Sequence, residues 1–94
     1  MTLICLCHGS SMHPTFPRLS LIKIKKLELY QIGDIISLKT FDEKFHCHRI
    51  TELDEQTVST KGDNLTQQPY EIKVPIKNIE GKATLVFPKK TKVN

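Results

Sequence analysis

The apolar residues of this chain come in short alternating runs, and a glycine, proline, aspartate or asparagine closes nearly every one. An amphipathic helix needs a period of about 3.6 residues held over several turns, and no stretch here sustains it. The pattern asks for an all-β domain. Residues 2–7 read as a first, buried strand. Pro14 and Pro17 exclude a helix from the turn at 8–17. Between Leu19 and Leu29 two alternations overlap, one through Leu19 and Leu21, the other through Ile22 and Ile24. Gly33-Asp34 turns the chain into a strand over Ile35 to Leu38. Asp42-Glu43-Lys44 forms a hairpin tip, and Phe45 to Leu53 returns antiparallel. Thr57 to Thr60 is a short strand, and Lys61-Gly62-Asp63-Asn64 is a turn. Pro69-Tyr70 begins a connection, with room for a short helix around 75–80. Thr84 to Phe87 is the last strand, and Pro88 stops it.

With 94 residues the chain makes one domain, 1–94, with 88–94 a frayed basic tail. Its apolar content of 38% implies a small core. No apolar run is long enough to span a bilayer, and Leu3 to Cys7 is too short for a signal peptide. The expectation is a protein that is soluble in the cytoplasm or peripheral at a membrane. The net charge is +4, with lysines clustered at Lys23, Lys25 and Lys26 and again at Lys89, Lys90 and Lys92. Such clusters suit a solvated strand and tail, or an anionic membrane surface. Two tyrosines and four phenylalanines, without arginines interleaved, give no stacking platform, so nucleic acid is not an expected partner. Three cysteines do not make a disulfide framework. Cys5 and Cys7 share one face of a strand, where small thiols pack well, and a reducing compartment fits them.

The chemistry concentrates in Gly9-Ser10-Ser11-Met12-His13-Pro14-Thr15. A serine in a turn fixed by Gly9 and Pro14 is exposed and flanked by backbone N–H groups. A nucleophile needs both. It also needs a base. His46 and His48 lie on one face of the strand Phe45 to Leu53, with Phe45, Cys47 and Arg49 on the other. A histidine on a strand is well placed to take a proton from a hydroxyl, or it is a hydrogen-bonded residue of a half-buried strand. Asp63 either caps its own turn, orients the base, or holds the site's backbone. Cys5, Cys7, His8, His46, Cys47 and His48 include zinc-type donors. The Cys-x-Cys spacing and the opposite faces of His46 and Cys47 argue against a site, and no metal or other cofactor is expected.

These residues resemble the motifs of type I signal peptidases. The segment Gly9 to Thr15 looks like their nucleophile box, and Gly33-Asp34-Ile35-Ile36 their Gly-Asp-Ile-Val segment. His48-Arg49-Ile50 resembles the base box in its His-Arg-Val form, found in the endoplasmic-reticulum and archaeal branch. Thr60-Lys61-Gly62-Asp63-Asn64 resembles that branch's Thr-Lys-Gly-Asp-Asn. Val74-Pro75 with Ile79-Glu80-Gly81-Lys82-Ala83 resembles the closing Val-Pro and Gly-Lys-Ala segments. The likeness runs in order from about residue 3 to residue 87. It implies a mostly β fold, a compact coiled sheet or partly open barrel of the kind shared with self-cleaving repressor-type proteases.

The resemblance implies a serine endopeptidase that cleaves leader or signal peptides after small residues. Ser11 would be the nucleophile and His48 the base, because His48 directly precedes the arginine. The Ser11 backbone N–H would be one oxyanion donor. Gly9 occupies the position whose side chain supplies a second donor in many bacterial members, and glycine cannot. Partners would be a peptide or precursor-protein substrate and a membrane surface or membrane-anchored protein. Two departures stand out. No membrane-spanning helix precedes the serine box. Leu65-Thr66-Gln67-Gln68-Pro69-Tyr70 lacks the second acid that orients the base in this branch, so Asp63 would serve or the site would be a Ser–His dyad. The alternatives are a non-catalytic relative on the same fold, a cytosolic maturation protease, and a Cys/His metal-binding domain.

Overall fold

The computed structural model describes residues 2–7, 9–40, 45–66 and 69–88. Seven strands form one antiparallel sheet: β1 (Thr2–Cys7), β2 (Ser20–Lys25), β3 (Ile35–Lys39), β4 (Phe45–Leu53), β5 (Thr57–Lys61), β6 (Tyr70–Pro75) and β7 (Ile79–Phe87). A single 3₁₀ turn, Ile76–Asn78, leads into β7. The spatial order is β1-β2-β7-β3-β4-β5-β6. The sheet stays open, with β1 and β6 at its ends. The mostly β expectation holds, as an open sheet rather than a closed barrel. The hairpin tip at 42–44, His8 and the tail lysines lie outside the described residues.

β3 sits near the middle of the sheet and is buried on both faces. Ile35 packs into one core with Met12, Phe16, Ile22, Ile24 and Ala83. Ile36 and Leu38 point the other way, into a second core with Ile50, Val58 and Ile79. β7 serves both cores because its register slips between Ser37 and Leu38 of β3. The extra residue turns Ile79 to one face and Ala83 to the other, as a β-bulge does. Gly81 is needed on this strand, since a Cβ there would lie 2.7 Å from the Lys25 backbone.

In β2 the Ile22/Ile24 phase wins. Ser20, Ile22 and Ile24 are buried, and Leu21, Lys23 and Lys25 are exposed. The reason lies outside β2: the turn before it delivers Met12 and Phe16 to that face. β1 departs from expectation. It is an edge strand rather than a buried one, and Leu3, Ile4 and Leu6 are exposed. Among the described strands it pairs with β2 alone, which leaves Ile4 and Leu6 on its outer face exposed. Cys5 and Cys7 do face inward, against the first core. After Pro69, where the sequence pattern suggests a connection, the chain forms strand β6. Its register shifts against β5, and Lys73 has a left-handed φ of 52°. A bulge and a terminal proline suit an edge strand and hide its alternation.

Candidate functional site

Ser11 is set by what flanks it. Met12, only 1% exposed, and Phe16 plug into the first core, and a helical turn joins them through Phe16 N–H to the Met12 carbonyl, 3.0 Å. Burying two such side chains contributes on the order of 4 kcal/mol. The turn is thereby fixed while Ser11, one residue earlier, stays half-exposed.

The segment after β5 holds the other side. Asn64 donates its side-chain amide to the Ser10 carbonyl at 2.8 Å and its backbone N–H to the Ser11 carbonyl at 2.8 Å. Gly62 lies against the same peptide, and a Cβ at that position would fall 2.6 Å from the Ser11 carbonyl oxygen. Only glycine allows so close an approach. Asp63 completes the clamp. Arg49 donates to both its oxygens, Nε to Oδ1 at 2.9 Å and Nη2 to Oδ2 at 2.7 Å. The Thr15 hydroxyl donates to Oδ2 at 2.7 Å. Arg49 also donates to the Gly33 carbonyl at 2.7 Å. The Ser11 turn, β4 and the β5–β6 loop are thus tied at one carboxylate. Hydrogen bonds from Arg49 outweigh partial burial and hold the Asp63 carboxyl below its usual range.

His48 comes from β4, where it pairs with Ile36 of β3, and it is 1% exposed. Its Nε2 lies 3.2 Å from Ser11 Oγ. Its Nδ1 lies 2.6 Å from Glu71 Oε1. Glu71 stands on β6, and the Thr60 hydroxyl of β5 donates to the same oxygen at 2.5 Å. Burial opposes ionisation of Glu71, but the hydrogen bonds from His48 and Thr60 overcome it and leave its carboxyl below the usual range. An ionised carboxylate only accepts hydrogen bonds, so it places the imidazole proton on Nδ1. The lone pair of a neutral ring is then at Nε2, facing the serine hydroxyl. His46 stacks on His48, with centroids 5.8 Å apart and planes 25° from parallel.

The structure therefore joins Ser11 and His48 and leaves Asp63 off the imidazole. The base-orienting part of the Asp63 expectation passes to Glu71, and the backbone-holding part stays with Asp63. Glu71 directly follows the acid-free stretch Leu65 to Tyr70, in a segment whose pattern reads as a connection. The available signal was an acid next to Tyr70 and Ile72, on a strand opposite Thr60.

Gly9 is exposed, with open space where a Cβ would be. It contributes no side-chain donor beside Ser11. A cavity of about 600 Å³ opens beside Glu71, lined by Thr40, His46, Tyr70, Ile72 and Val74 among others. Among the described residues, no group of three or more His, Cys, Asp or Glu is arranged to hold a metal ion, and no helix is long and apolar enough to cross a membrane. Comparison with protein-family models, curated proteins and solved structures returns no match.

Proposed function

We propose that the chain is a serine endopeptidase of signal-peptidase type, cutting leader or signal peptides after small residues. The observation that carries this reading is the relay from Ser11 Oγ through His48 to Glu71, at 3.2 Å and 2.6 Å. Nucleophile, base and orienting acid stand in the order that acyl transfer requires. The ordered likeness of the motifs to the histidine branch of that family narrows the reaction to peptide hydrolysis.

In this mechanism Ser11 Oγ attacks the scissile carbonyl as His48 Nε2 takes its proton. Glu71 stabilises the imidazolium that forms. His48 then protonates the leaving amine, and a water molecule activated by the same nitrogen hydrolyses the acyl-enzyme. The Ser11 backbone N–H is the one oxyanion donor the motif supplies, with Gly9 adding none. A missing donor costs about 3 kcal/mol of transition-state stabilisation, so the enzyme is slow. The substrate lies extended along a strand edge, its main chain giving affinity and small pockets giving selectivity. Membrane-surface association fits the exposed apolar side chains of Leu6, Leu21 and Phe87, which register aligns across β1, β2 and β7.

The test is incubation with leader-bearing peptides and mapping of the products by mass. One cut after a small residue is expected. Ser11→Ala and His48→Ala should each remove nearly all activity, about 10⁴-fold or more, because the two act as a unit. Cleavage that persists in either variant would refute the assignment.

A further inference from the structure

The two central strands of the sheet part company halfway along. On one edge β7 is paired with β2 from Lys82 to Phe87. On its other edge, among the described residues, it pairs with β3 only from Ile79 to Lys82. Beyond Lys82 the strands diverge. The start of β3 stays with β4: Gly33 N–H donates to the Ile50 carbonyl, and Ile50 N–H to the Asp34 carbonyl. β7 is left with an open edge from Ala83 to Phe87. A cavity of about 670 Å³ occupies the gap, lined by 82–86 on one wall and 33–35 on the other. Successive residues of a strand point to opposite faces. A cavity that touches 82–86 in unbroken succession therefore runs along the strand's edge and not over one face.

A bare strand edge asks for hydrogen-bond partners. The opposite wall spends its own groups elsewhere, the Gly33 carbonyl on Arg49 and the Asp34 N–H on the Gln31 carbonyl. The open edge also lies inside the sheet, since β7 stands between β2 and β3 in the strand order. A second folded copy would have to bring a whole sheet into this seam, whereas a single extended chain is slim enough to enter. The two sides of the seam differ in chemistry. Towards the first core stand Phe16, Ile35, Ala83 and Leu85. Lys82 and Thr84 alternate with them and are exposed. The Lys82 ammonium is 3.4 Å from Asp34 Oδ1, and its side chain is 47% exposed. So loose a contact leaves N–H donors for a second carboxylate.

We propose that the seam is a docking site for an extended segment of a partner protein in which apolar and acidic side chains alternate. The segment adds to β7 through its main chain, as in strand addition. Its apolar side chains meet Phe16, Ile35 and Leu85, and its acids meet Lys82. At about 3.3 Å per residue, the open edge takes about four or five residues. The occupant is a partner and not the scissile chain. Arg49 lines the seam, and on β4 it points to the face opposite His48, so a chain held here is not presented to the Ser11–His48 pair. That exclusion rests on the protease reading, whereas the docking does not.

The experiment adds a doubly blocked hexapeptide, alternating valine with glutamate, to the isotope-labelled full chain and follows the amide resonances. Saturable shifts confined to 33–35 and 82–87 are expected. Lys82→Glu should weaken binding about tenfold and should favour the valine–lysine hexapeptide instead. Two analogues N-methylated at alternate residues, one in each phase, test the main chain without altering the protein. At least one should lose binding, because an added strand donates from every second residue. Shifts on β1 or β6, or no saturation up to about 1 mM peptide, would overturn the site. Undiminished binding by both methylated analogues would overturn the strand addition. The hexapeptide should remain uncut and should leave the KM for a leader peptide unchanged. Competition with the leader peptide would make the seam part of the substrate groove and overturn the partner assignment. A chain that cleaves no leader peptide would refute the protease reading, while the resonance map still decides the docking.

Discussion

Two carboxylates only eight positions apart do opposite work. Glu71 faces the imidazole and shares one oxygen between His48 and Thr60. Asp63 faces away from it and spends both oxygens on Arg49 and Thr15. One region sets a proton's position, and the other sets a backbone's position. The difference follows from the elements that carry them. Glu71 projects from a strand whose neighbour, β5, supplies a second donor. Asp63 sits in a turn, where the chain can wrap the Ser10-Ser11 peptides. An acid that follows the histidine strand closely in sequence is thus not by default the one that meets the imidazole.

The sharpest way to break this contrast is Glu71→Gln. The amide keeps the shape, but a carboxamide can donate to Nδ1 and so stabilise the wrong tautomer. Activity should fall by roughly 10³–10⁴-fold, the scale seen when a base-orienting carboxylate becomes an amide. Melting temperature should change little. A variant that keeps more than a tenth of the activity would return Glu71 to a structural role.

The next largest effect belongs to the other region. Gly62→Ala places a methyl 2.6 Å from the Ser11 carbonyl, and that carbonyl already accepts from Asn64. The turn must shift, and the Ser11–His48 distance with it. Activity should drop by about 100-fold while the circular dichroism of the sheet is retained. Full activity in Gly62→Ala would mean the clamp does not govern the nucleophile's position.

Much of this was legible in the residues. β4 runs over Phe45–Leu53 as its pattern asks, because alternation and a long apolar-polar contrast survive there. Ser11 and His48 were legible because each sits in a local motif with its own physical logic: a serine in a turn fixed by Gly9 and Pro14, a histidine on a strand face. β6 was not legible. Its left-handed Lys73, its bulge and its edge position erase the two-residue period, and Glu71 disappeared with it. The exposure of β1 was hidden for a different reason. An apolar strand reads as buried until the strand order places it at the edge, and strand order is a long-range property. The Asp63–Arg49–Thr15 clamp spans 48 positions, so no local pattern could assign it.

The smallest effect separates the two acids by pH. Asp63→Asn removes the charge but not the shape, and Arg49 keeps a weaker partner. Because the Arg49 side chain is 38% exposed, solvent screens the pair, and the loss should be about 1 kcal/mol rather than the several expected of a buried pair. Activity should fall only about tenfold, through a looser turn. Both carboxyls are held below their ordinary values of 3.8 for Asp63 and 4.5 for Glu71. A depressed carboxyl stabilises the fold above its unfolded value, and that contribution is lost as pH falls through the lower folded value. The wild-type advantage over Asp63→Asn should therefore be full at neutral pH and close toward zero as the medium is acidified below 3.8. Urea titrations at neutral and acid pH measure it. A gap that stays constant into acid would show that Asp63 contributes through shape alone, and its part in the contrast with Glu71 would lose its electrostatic basis.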